Sequence, residues 1–449
     1  MTSSVKTLKS LGPSPQGNPS LPPARMNTGM LRSRFGLTTF GGKIGVVDLQ
    51  EATTANVSNP LKVYSMADGK LLIERTVKAI DPTASPVKFF KTWRYDPKTS
   101  VFNGVELNPK ATTLGNLNLW RGMATEPKRG SWRLIRNFIY YVVCGGDSEL
   151  FKYVLRWIAH AVQYPEDKSG VALLLVGGQG TGKGTFAAKL IGELFKDHFL
   201  HLQTDSAITG DFNASLESSY ILFCDEAFFS GDRKAANKLK AIMTEDRLHI
   251  NPKYQPSRQI NSIHRIISAS NNDHAASIEH DDRRYVVLRV SETYKGNFDY
   301  WSALDNEIKS GGLEAFAYAL SKMELTNFQV RQKPNTREHQ LQKLQSLDPI
   351  PKWWTDVLLT GEINEIMRLP EFVPSGTLMA SFRSHNRDHG GRAHAPAMNQ
   401  LIPMIKKLCP SAQDNQKTVG KKRLRGLDLP DLAMARSEFE TWLGGPVDW

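Results

Sequence analysis

The arrangement of apolar and polar residues changes along the chain. From Ile44 to about Tyr95, short apolar runs alternate with Pro, Asn and Asp-Gly turns, which predicts a small module that contains strands. From Val171 to about Leu325, apolar runs alternate with amphipathic stretches, the pattern of a mostly parallel sheet covered by helices on both faces. The predicted fold class is α/β. In the first module, the runs expected to be strands are 45–49, 61–64, 71–75 and 88–93.

Helical spacing of apolar residues predicts further elements on either side of this sheet. Residues 132–142 and 150–158 have the spacing of two helices, separated by Gly145-Gly146. A polar stretch over 329–345 leads to a C-terminal module of helices interrupted by a basic turn. The helices expected in this module cover 375–386, 396–408 and 431–443.

The first 36 residues differ from the rest in composition. They are rich in Ser, Pro and Gly and contain Lys and Arg but no acid, which predicts a disordered basic tail, either solvated or in contact with nucleic acid. Four segments follow from these patterns: the tail, a strand-containing module with a helical collar, the α/β core, and a linker with the C-terminal module. Their predicted boundaries are 1–36, 37–165, 166–326 and 327–449.

Composition narrows the function classes. The formal net charge of +12 favours a polyanionic partner, because Lys and Arg bind phosphates without regard to sequence. The three cysteines form no CxxC pair, which argues against a disulfide framework and a zinc knuckle. No run approaches the roughly 20 apolar residues of a membrane span, and the start lacks an apolar signal core. We therefore expect a protein of a reducing cytoplasm with no membrane partner.

A glycine-rich segment follows the first strand of the predicted sheet and opens a helix. Its backbone N–H groups and the helix N-terminus are suited to a phosphate chain, and Lys183 is expected to reach the β- and γ-phosphates of ATP. Gly184 stands where the usual pattern has Ser or Thr, so Thr185 is the expected hydroxyl ligand of Mg²⁺. The alternative is a glycine-rich turn without a ligand. The candidate nucleotide-binding residues are Gly177, Gly178, Gln179, Gly180, Thr181, Gly182, Lys183, Gly184 and Thr185.

Polar residues end the later strands of the predicted sheet. Asp225 suits the Mg²⁺ shell, and Glu226 is placed to polarise the water that attacks the γ-phosphate, unless both only end a strand. Asn271 closes the next apolar run, either to sense the γ-phosphate or to form a turn. Arg283 and Arg284 precede the last run; an arginine given to a neighbour's nucleotide implies a ring of subunits.

Several of these motifs together resemble a known family. The segments 177–186, 224–228, 239–246, 268–272 and 281–284 look like the superfamily 3 helicase domain of phage and plasmid primase-helicases, which are AAA+ P-loop motors related to poxvirus primase-helicases. The phrases at 118–128 and 144–147 also belong to the resemblance, which covers about 116–325. It implies an AAA+ core, ATP and Mg²⁺ as cofactors, a homo-hexamer, and movement on single-stranded or forked DNA, usually 3′ to 5′. It also implies that the protein acts in the cytoplasm of a bacterial host cell.

Two basic segments are candidate contacts with DNA. In similar helicases, the stretch after 239 ends in a hairpin that projects into the central channel. Lys240, His249, Lys253 and Tyr254 are its candidate contacts, and a solvated surface hairpin is the alternative. In the C-terminal module, a basic turn between helices suggests the wing of a winged helix, or else a solubilising turn. Its candidate contacts are Lys421, Lys422, Arg423 and Arg425.

The function predicted is therefore an ATP-dependent hexameric DNA helicase of phage, plasmid or mobile-element replication. A DNA-bound initiator or remodelling ATPase without processive unwinding is the main alternative. A nucleotide kinase shares the phosphate loop but is disfavoured by the acidic pair at 225–226 and the arginine pair at 283–284. Because the N-terminal third lacks a convincing cluster of metal-binding acids, we expect a primase or polymerase to be a separate polypeptide.

Overall fold

The computed structural model describes most of the chain, in two compact units. The described residues are 25–40, 43–57, 59–203, 213–225, 233–251, 257–272, 278, 282–364, 367–369, 372–388 and 398–449. One unit comprises the described residues up to Thr54 and Leu61–Gly104, and the other comprises Ala55–Pro60 and Val105–Trp449. This division does not test the boundaries expected at 36, 165 and 326, which stay predictions.

The first unit is a four-stranded sheet with helices. The strand order is β3-β2-β1-β4, with β1 antiparallel to β2 and parallel to β4. Phe35 and Trp93 meet edge to face in its core, and the Trp93 indole donates to the Phe35 carbonyl at 3.2 Å. Its elements are α1 (Thr28–Arg34), β1 (Phe35–Phe40), β2 (Lys43–Asp48), α2 (Leu49–Thr54), β3 (Val63–Tyr64), α3 (Met66–Ile80), α4 (Pro86–Tyr95) and β4 (Val101–Phe102).

Three expectations for this unit are wrong. The runs 71–75 and 88–93 are not strands but lie within α3 and α4, where Ser65 caps the first helix and Pro86 begins the second. Their buried residues recur at helical spacing, and runs of five or six residues are too short to reveal that period. Residues 28–34, placed in the disordered tail, form α1 with Leu31 fully buried.

The second unit is built on a five-stranded, entirely parallel sheet. The strand order is β13-β7-β12-β9-β8. Leu173 and Leu175 pack into one hydrophobic cluster and Leu174 and Val176 into another, because successive side chains of a strand point to opposite faces. Burial on both faces explains the continuous apolar runs and confirms the predicted α/β architecture with a parallel sheet. The strands are β7 (Ala172–Val176), β8 (Phe199–Leu202), β9 (Ile221–Asp225), β12 (Arg265–Ser270) and β13 (Tyr285–Arg289).

Helices and two small strand pairs accompany this sheet. The strand pairs are β5 (Gly104–Glu106) with β6 (Asn116–Asn118), and β10 (Arg247–Ile250) with β11 (Arg258–Asn261). Two π-helical segments, Phe138–Val143 and Ile308–Gly312, follow α5 and α9. The helices are α5 (Arg133–Asn137), α6 (Ser148–Gln163), the π-helix α7 (Thr185–Gly192), α8 (Arg233–Thr244), α9 (Phe298–Glu307) and α10 (Leu313–Lys322); short 3-10 turns cover Lys196–His198 and Ala214–Ser218.

The C-terminal part of this unit has a hydrophobic cluster of its own. Trp353, Trp354, Phe382 and Phe439 lie in it, and Trp353 meets Phe382 edge to face at 5.9 Å. All three helices expected here are present, and the basic turn joins two antiparallel strands. The elements are α11 (Arg337–Gln345), α12 (Pro349–Thr360), β14 (Phe372–Pro374), α13 (Ser375–Asp388), α14 (Met398–Leu408), β15 (Gln413–Val419), β16 (Lys422–Asp428) and α15 (Leu432–Leu443).

Candidate nucleotide site and nucleic-acid surfaces

The loop between β7 and α7 is held open by backbone conformations that favour glycine. Gly180 and Gly182 have positive φ angles of 78° and 102°. A Cβ on Gly182 would lie 2.6 Å from the Trp301 ring and 2.9 Å from the Phe138 ring, so only glycine fits between them. The Gly177 amide donates to the Ser270 carbonyl at 3.2 Å, which fixes the start of the loop to the end of β12.

Lys183 is folded back into this loop. Its Nζ donates to the carbonyls of Gly177 and Gly178 at 2.7 and 2.8 Å and to Asn271 Oδ1 at 2.7 Å. The side chain is buried, so the ammonium group is desolvated and held by three oxygens. Lys183 and Asn271, which come from different strand ends, are therefore in direct contact.

A cleft of about 340 Å³ opens at the same sheet edge. Because β12 lies between β7 and β9, the carboxyl ends of these three strands bring the glycine-rich loop, Asn271 and Asp225 together. Trp301 lines the cleft together with residues of the predicted site: Gln179, Gly180, Thr181, Gly182, Lys183, Gly184, Thr185, Asp225 and Asn271. The nucleotide-binding roles of these residues stay predictions, but the cleft has the loop and cation that a polyphosphate requires.

The residues near Asp225 fit a magnesium ion. The Thr185 hydroxyl and the Asp225 carboxylate both line the cleft, and oxygen ligands are those that Mg²⁺ prefers. Within the described part of the chain, no group of three or more His, Cys, Asp or Glu residues is placed to hold a metal. Mg²⁺ beside a nucleotide is usually held by one or two protein ligands, and phosphate oxygens and water complete its coordination shell.

Two residues of this site were not found from the sequence. Trp301 arrives from α9 and packs on Gly182, while its indole donates to the Tyr294 carbonyl at 2.9 Å. His201, on the neighbouring strand β8, stacks on Phe223 and has its Nε2 3.5 Å from Asp225 Oδ2. Neither lies in a motif, because only the tertiary fold brings α9 to the loop and β8 beside Asp225. Glu226, the predicted water-polarising residue, lies outside the described residues.

The two candidate arginines differ in their surroundings. The Arg284 guanidinium donates to Asp282 Oδ2 at 2.9 Å, and its backbone amide donates to Asp282 Oδ1 at 2.7 Å. The Asp282 side chain is fully buried, so this pair belongs to the subunit's own structure. Arg283 is exposed and makes no hydrogen bond or ion pair with the described residues.

A buried basic group surrounds Asp282. Burial lowers the pKa of Lys333 to about 8, a shift that Lys343 increases and Asp282 opposes. Burial, followed by the charges of Lys333 and Lys343, lowers the pKa of His339 to about 3, so this imidazole is neutral near pH 7. The charge of Asp282 therefore pairs with Arg284 and also favours the charged form of Lys333.

The predicted channel hairpin is described only at its base. His249 on β10 lies 3.0 Å from the Gln259 amide on β11, which fixes the ring across the strand pair. Asn213 clamps the end of β10, because its amide donates to the His249 carbonyl and its Oδ1 accepts from the Asn251 amide. Lys240 is half-buried on α8. Lys253 and Tyr254 lie outside the described residues.

The basic turn of the C-terminal part is an antiparallel hairpin in which Val419 pairs with Lys422. Lys417 forms an ion pair with Asp428 at 2.6 Å, so its charge is balanced within the hairpin. The other basic residues are exposed, and we call them the basic hairpin residues: Lys421, Lys422, Arg423 and Arg425. They form a cationic edge that follows α14 in the chain.

Comparison with known proteins gives a partial match. The segment 175–284 matches a family described as a family of unknown function, DUF5906. The chain is similar to a phage DNA primase-polymerase. That protein, the "DNA Primase-polymerase" of Nitratiruptor phage NrS-1, is 26% identical over 215 residues, which cover 47% of this chain and 29% of the phage protein.

Solved structures of the same phage protein share the fold. Two apo structures of the NrS-1 C-terminal region superpose with TM-scores of 0.65 and 0.66 at 17% identity. The match covers 89% of this chain and 97 and 98% of the two solved chains. Among the described residues, no helix is long and apolar enough to span a bilayer.

Proposed function

We propose that this chain is an ATP-hydrolysing AAA+ motor of phage DNA replication, of the superfamily 3 helicase type. The observation that carries the proposal is the convergence of Lys183, Asp225 and Asn271 on one cleft behind a glycine-rich loop. The likeness to a phage DNA primase-polymerase supports DNA replication as the setting, although the match spans under a third of that protein.

The contacts of Lys183 support a role as the phosphate-binding cation. Its ammonium group is held by two loop carbonyls and the Asn271 amide oxygen. An arriving β,γ-phosphate replaces these neutral acceptors with charged ones, which bind an ammonium group about twice as strongly. Asn271, which contacts Lys183 at the edge of the cleft, is the proposed amide that orients a water at the γ-phosphate.

Thr185 and Asp225 are the proposed ligands of the metal. These two side chains would hold Mg²⁺, which would supply positive charge beside the β- and γ-phosphates. Asp225 is about one-third exposed, and His201 beside it is positioned to hold the carboxylate in one orientation. Glu226, the residue after Asp225, is the proposed base for the attacking water.

A ring supplies the remaining charge, and Arg283 is the proposed arginine. Arg284 is held by Asp282 in its own subunit, whereas Arg283 is exposed and free to reach a neighbour's nucleotide. Trans-acting arginines stabilise the transition state for phosphoryl transfer. We therefore propose a homo-hexamer in which each cleft is completed by Arg283 from the next subunit.

Single-stranded or forked DNA is the proposed track. Its proposed contacts are the exposed basic hairpin residues and Lys253. Because Lys253 lies in the sequence between β9 and β12, we propose that its contact with DNA follows the ATP cycle. The strand-displacement direction proposed is 3′ to 5′. A winged-helix role for the C-terminal part is supported by the order of α12, α13, α14 and the β15–β16 hairpin.

Hydrolysis with and without DNA tests the proposal. Phosphate release from ATP is measured alone, with single-stranded DNA, and with small-molecule phosphoryl acceptors. We expect Mg²⁺-dependent hydrolysis that single-stranded DNA stimulates. Transfer of the γ-phosphate to a small acceptor instead of water would make the chain a kinase and overturn the proposal.

A further inference from the structure

We propose that the hairpin formed by α5, the π-helix Phe138–Val143 and α6 carries a binding surface for single-stranded nucleic acid. The surface consists of Arg136, Tyr140, Tyr141 and Phe151, and we call it the hairpin patch. The proposal rests on the nucleic-acid partner proposed above and adds a contact far along the chain from the two basic hairpins already considered.

Three aromatic rings form a continuous cluster in the hairpin patch. Tyr140 lies at the centre, with its ring centroid 4.7 Å from that of Tyr141 and 5.2 Å from that of Phe151, both edge to face. Arg136 places its guanidinium 5.8 Å from the Phe151 centroid. Tyr141 is 55% exposed, which is unusual for a large aromatic side chain that has neighbours to pack against. The rings are thus ordered by one another while one remains open to solvent.

The charge around these rings is positive. Residues 128–157 contain six basic and two acidic residues. The Asp147 carboxylate caps α6 and accepts from the backbone amides of Glu149 and Leu150. The Glu149 carboxylate forms an ion pair with Lys152 at 2.7 Å. Glu307 accepts from the first amides of α5. The basic residues of the segment are Lys128, Arg129, Arg133, Arg136, Lys152 and Arg156.

Basic residues lie one helical turn apart on both helices of the hairpin. Arg133 lies one turn before Arg136 on α5, and Arg156 lies one turn after Lys152 on α6. The contact of Arg136 with Phe151 joins α5 to α6, so the exposed Arg133, Arg136 and Arg156 lie on one pair of connected helices. Cations beside exposed aromatic rings are the combination that binds the phosphates and bases of single strands.

Single-stranded nucleic acid fits this surface better than a duplex. Edge-to-face rings with one open face offer a stacking position to an unpaired base, whereas the bases of a duplex are already stacked on each other. The side chains of the patch itself include no carboxylate, so a polyanion meets no direct repulsion from them.

The same π-helix also touches the nucleotide loop. Phe138, two residues before Tyr140, packs against Trp301 at 5.8 Å and against the Gly182 position. The Val142 carbonyl accepts from the Ser291 amide at 2.8 Å, just after β13. Short π-helical segments are frequent at functional sites. One turn of the π-helix therefore connects Tyr141, where the nucleic acid is proposed to bind, with Phe138, which contacts the glycine-rich loop.

Binding of a fluorescent oligothymidylate of about 20 nucleotides, long enough for several bases to stack, tests the hairpin patch. The variants are Tyr141→Ala, which removes the open ring, Tyr141→Phe, which keeps it, and Arg136→Gln, which removes the cation. Tyr164→Ala is the matched control, because Tyr164 is a 47% exposed tyrosine on the same unit outside the patch. An abasic oligonucleotide of equal length separates stacking from attraction to phosphates. Sedimentation records the oligomeric state of each variant.

We expect Tyr141→Ala to weaken oligothymidylate binding about tenfold, as loss of one stacked base requires, and to leave abasic binding unchanged. Tyr141→Phe and Tyr164→Ala should bind as the wild type does. Arg136→Gln should weaken both probes and reduce the log–log salt slope by about 0.7.

Three results would overturn the proposal. Wild-type affinity in Tyr141→Ala removes the patch from binding while leaving the proposed motor function intact. A Tyr141→Ala protein that sediments as a smaller species assigns the surface to a second copy of the chain. Absence of any oligonucleotide binding by the wild type rejects both the patch and the proposed DNA partner.

Discussion

Gly182→Ala is the substitution for which the structure predicts the largest local effect. The added Cβ would lie 2.6 Å from Trp301 and 2.9 Å from Phe138, both far closer than carbon atoms approach without displacement. Overpacking of this kind costs about 1–3 kcal/mol. The φ angle of 102° adds about 1–3 kcal/mol for a residue with a Cβ. A total of about 2–6 kcal/mol is comparable with the whole stability of a domain, roughly 5–15 kcal/mol.

Gly184→Ala is the matched control two residues later. Gly184 has a helical φ of −66°, and a Cβ there would meet nothing within 4 Å. Alanine in place of glycine in a helix stabilises by about 0.5–1 kcal/mol. We therefore expect Gly182→Ala to melt at a clearly lower temperature and lose nucleotide affinity, and Gly184→Ala to melt at the wild-type temperature or above.

Thermal melting and calorimetric titration with a non-hydrolysable ATP analogue measure both effects. Adding Trp301→Leu to Gly182→Ala should recover the steric loss that arises from Trp301 but not the loss from Phe138 or from the backbone, and a double-mutant cycle isolates the Trp301 contribution. Equal melting temperatures for Gly182→Ala and Gly184→Ala would refute the packing described for the loop.

Three further predictions concern the proposed motor. Lys183→Ala should lose nucleotide affinity, because it removes the cation at the β,γ-phosphates, whereas Glu226→Gln should bind ATP normally and stop phosphate release; equal hydrolysis by Glu226→Gln and wild type would remove Glu226 from the chemistry. Arg283→Ala should lose hydrolysis and keep the wild-type melting temperature, whereas Arg284→Ala should lower the melting temperature because it removes the guanidinium that pairs with the buried Asp282. Mixing Arg283→Ala with Lys183→Ala should restore some hydrolysis, and inactive mixed rings would contradict a trans role. Lys253→Ala should keep DNA-independent hydrolysis and lose its stimulation by DNA, and normal stimulation would reject the channel contact. Alanine at all four basic hairpin residues should reduce the slope of log affinity for DNA against log salt concentration by up to about 3.

The core of the fold was predictable because its strands carry their own signal. A strand buried on both faces is a continuous apolar run, and the residues that follow three such runs, Lys183, Asp225 and Asn271, meet because parallel strands end at one edge. The strand order could not be predicted. It depends on which run pairs with β7, and both neighbours, β12 and β13, come about 100 residues later in the chain.

The features that the sequence did not predict have other causes. Tertiary packing brings Trp301 to the cleft and His201 to Asp225, and no local pattern distinguishes them from core aromatic residues. The helices α3 and α4 were mistaken for strands because short apolar runs fit either period. Arg284 is held in its own subunit because Asp282 binds its guanidinium, and this contact is evident only from the tertiary structure.

Strand displacement on forked DNA tests the central proposal most directly. Forks with a single 3′ or 5′ tail are mixed with the wild type or with Lys183→Ala, in the presence of Mg²⁺ and either ATP or its non-hydrolysable analogue. We predict displacement by the wild type with ATP only, on the fork whose tail permits 3′ to 5′ movement, and none by Lys183→Ala. ATP hydrolysis stimulated by DNA without displacement of either strand would contradict the helicase and support an ATPase that remodels bound partners.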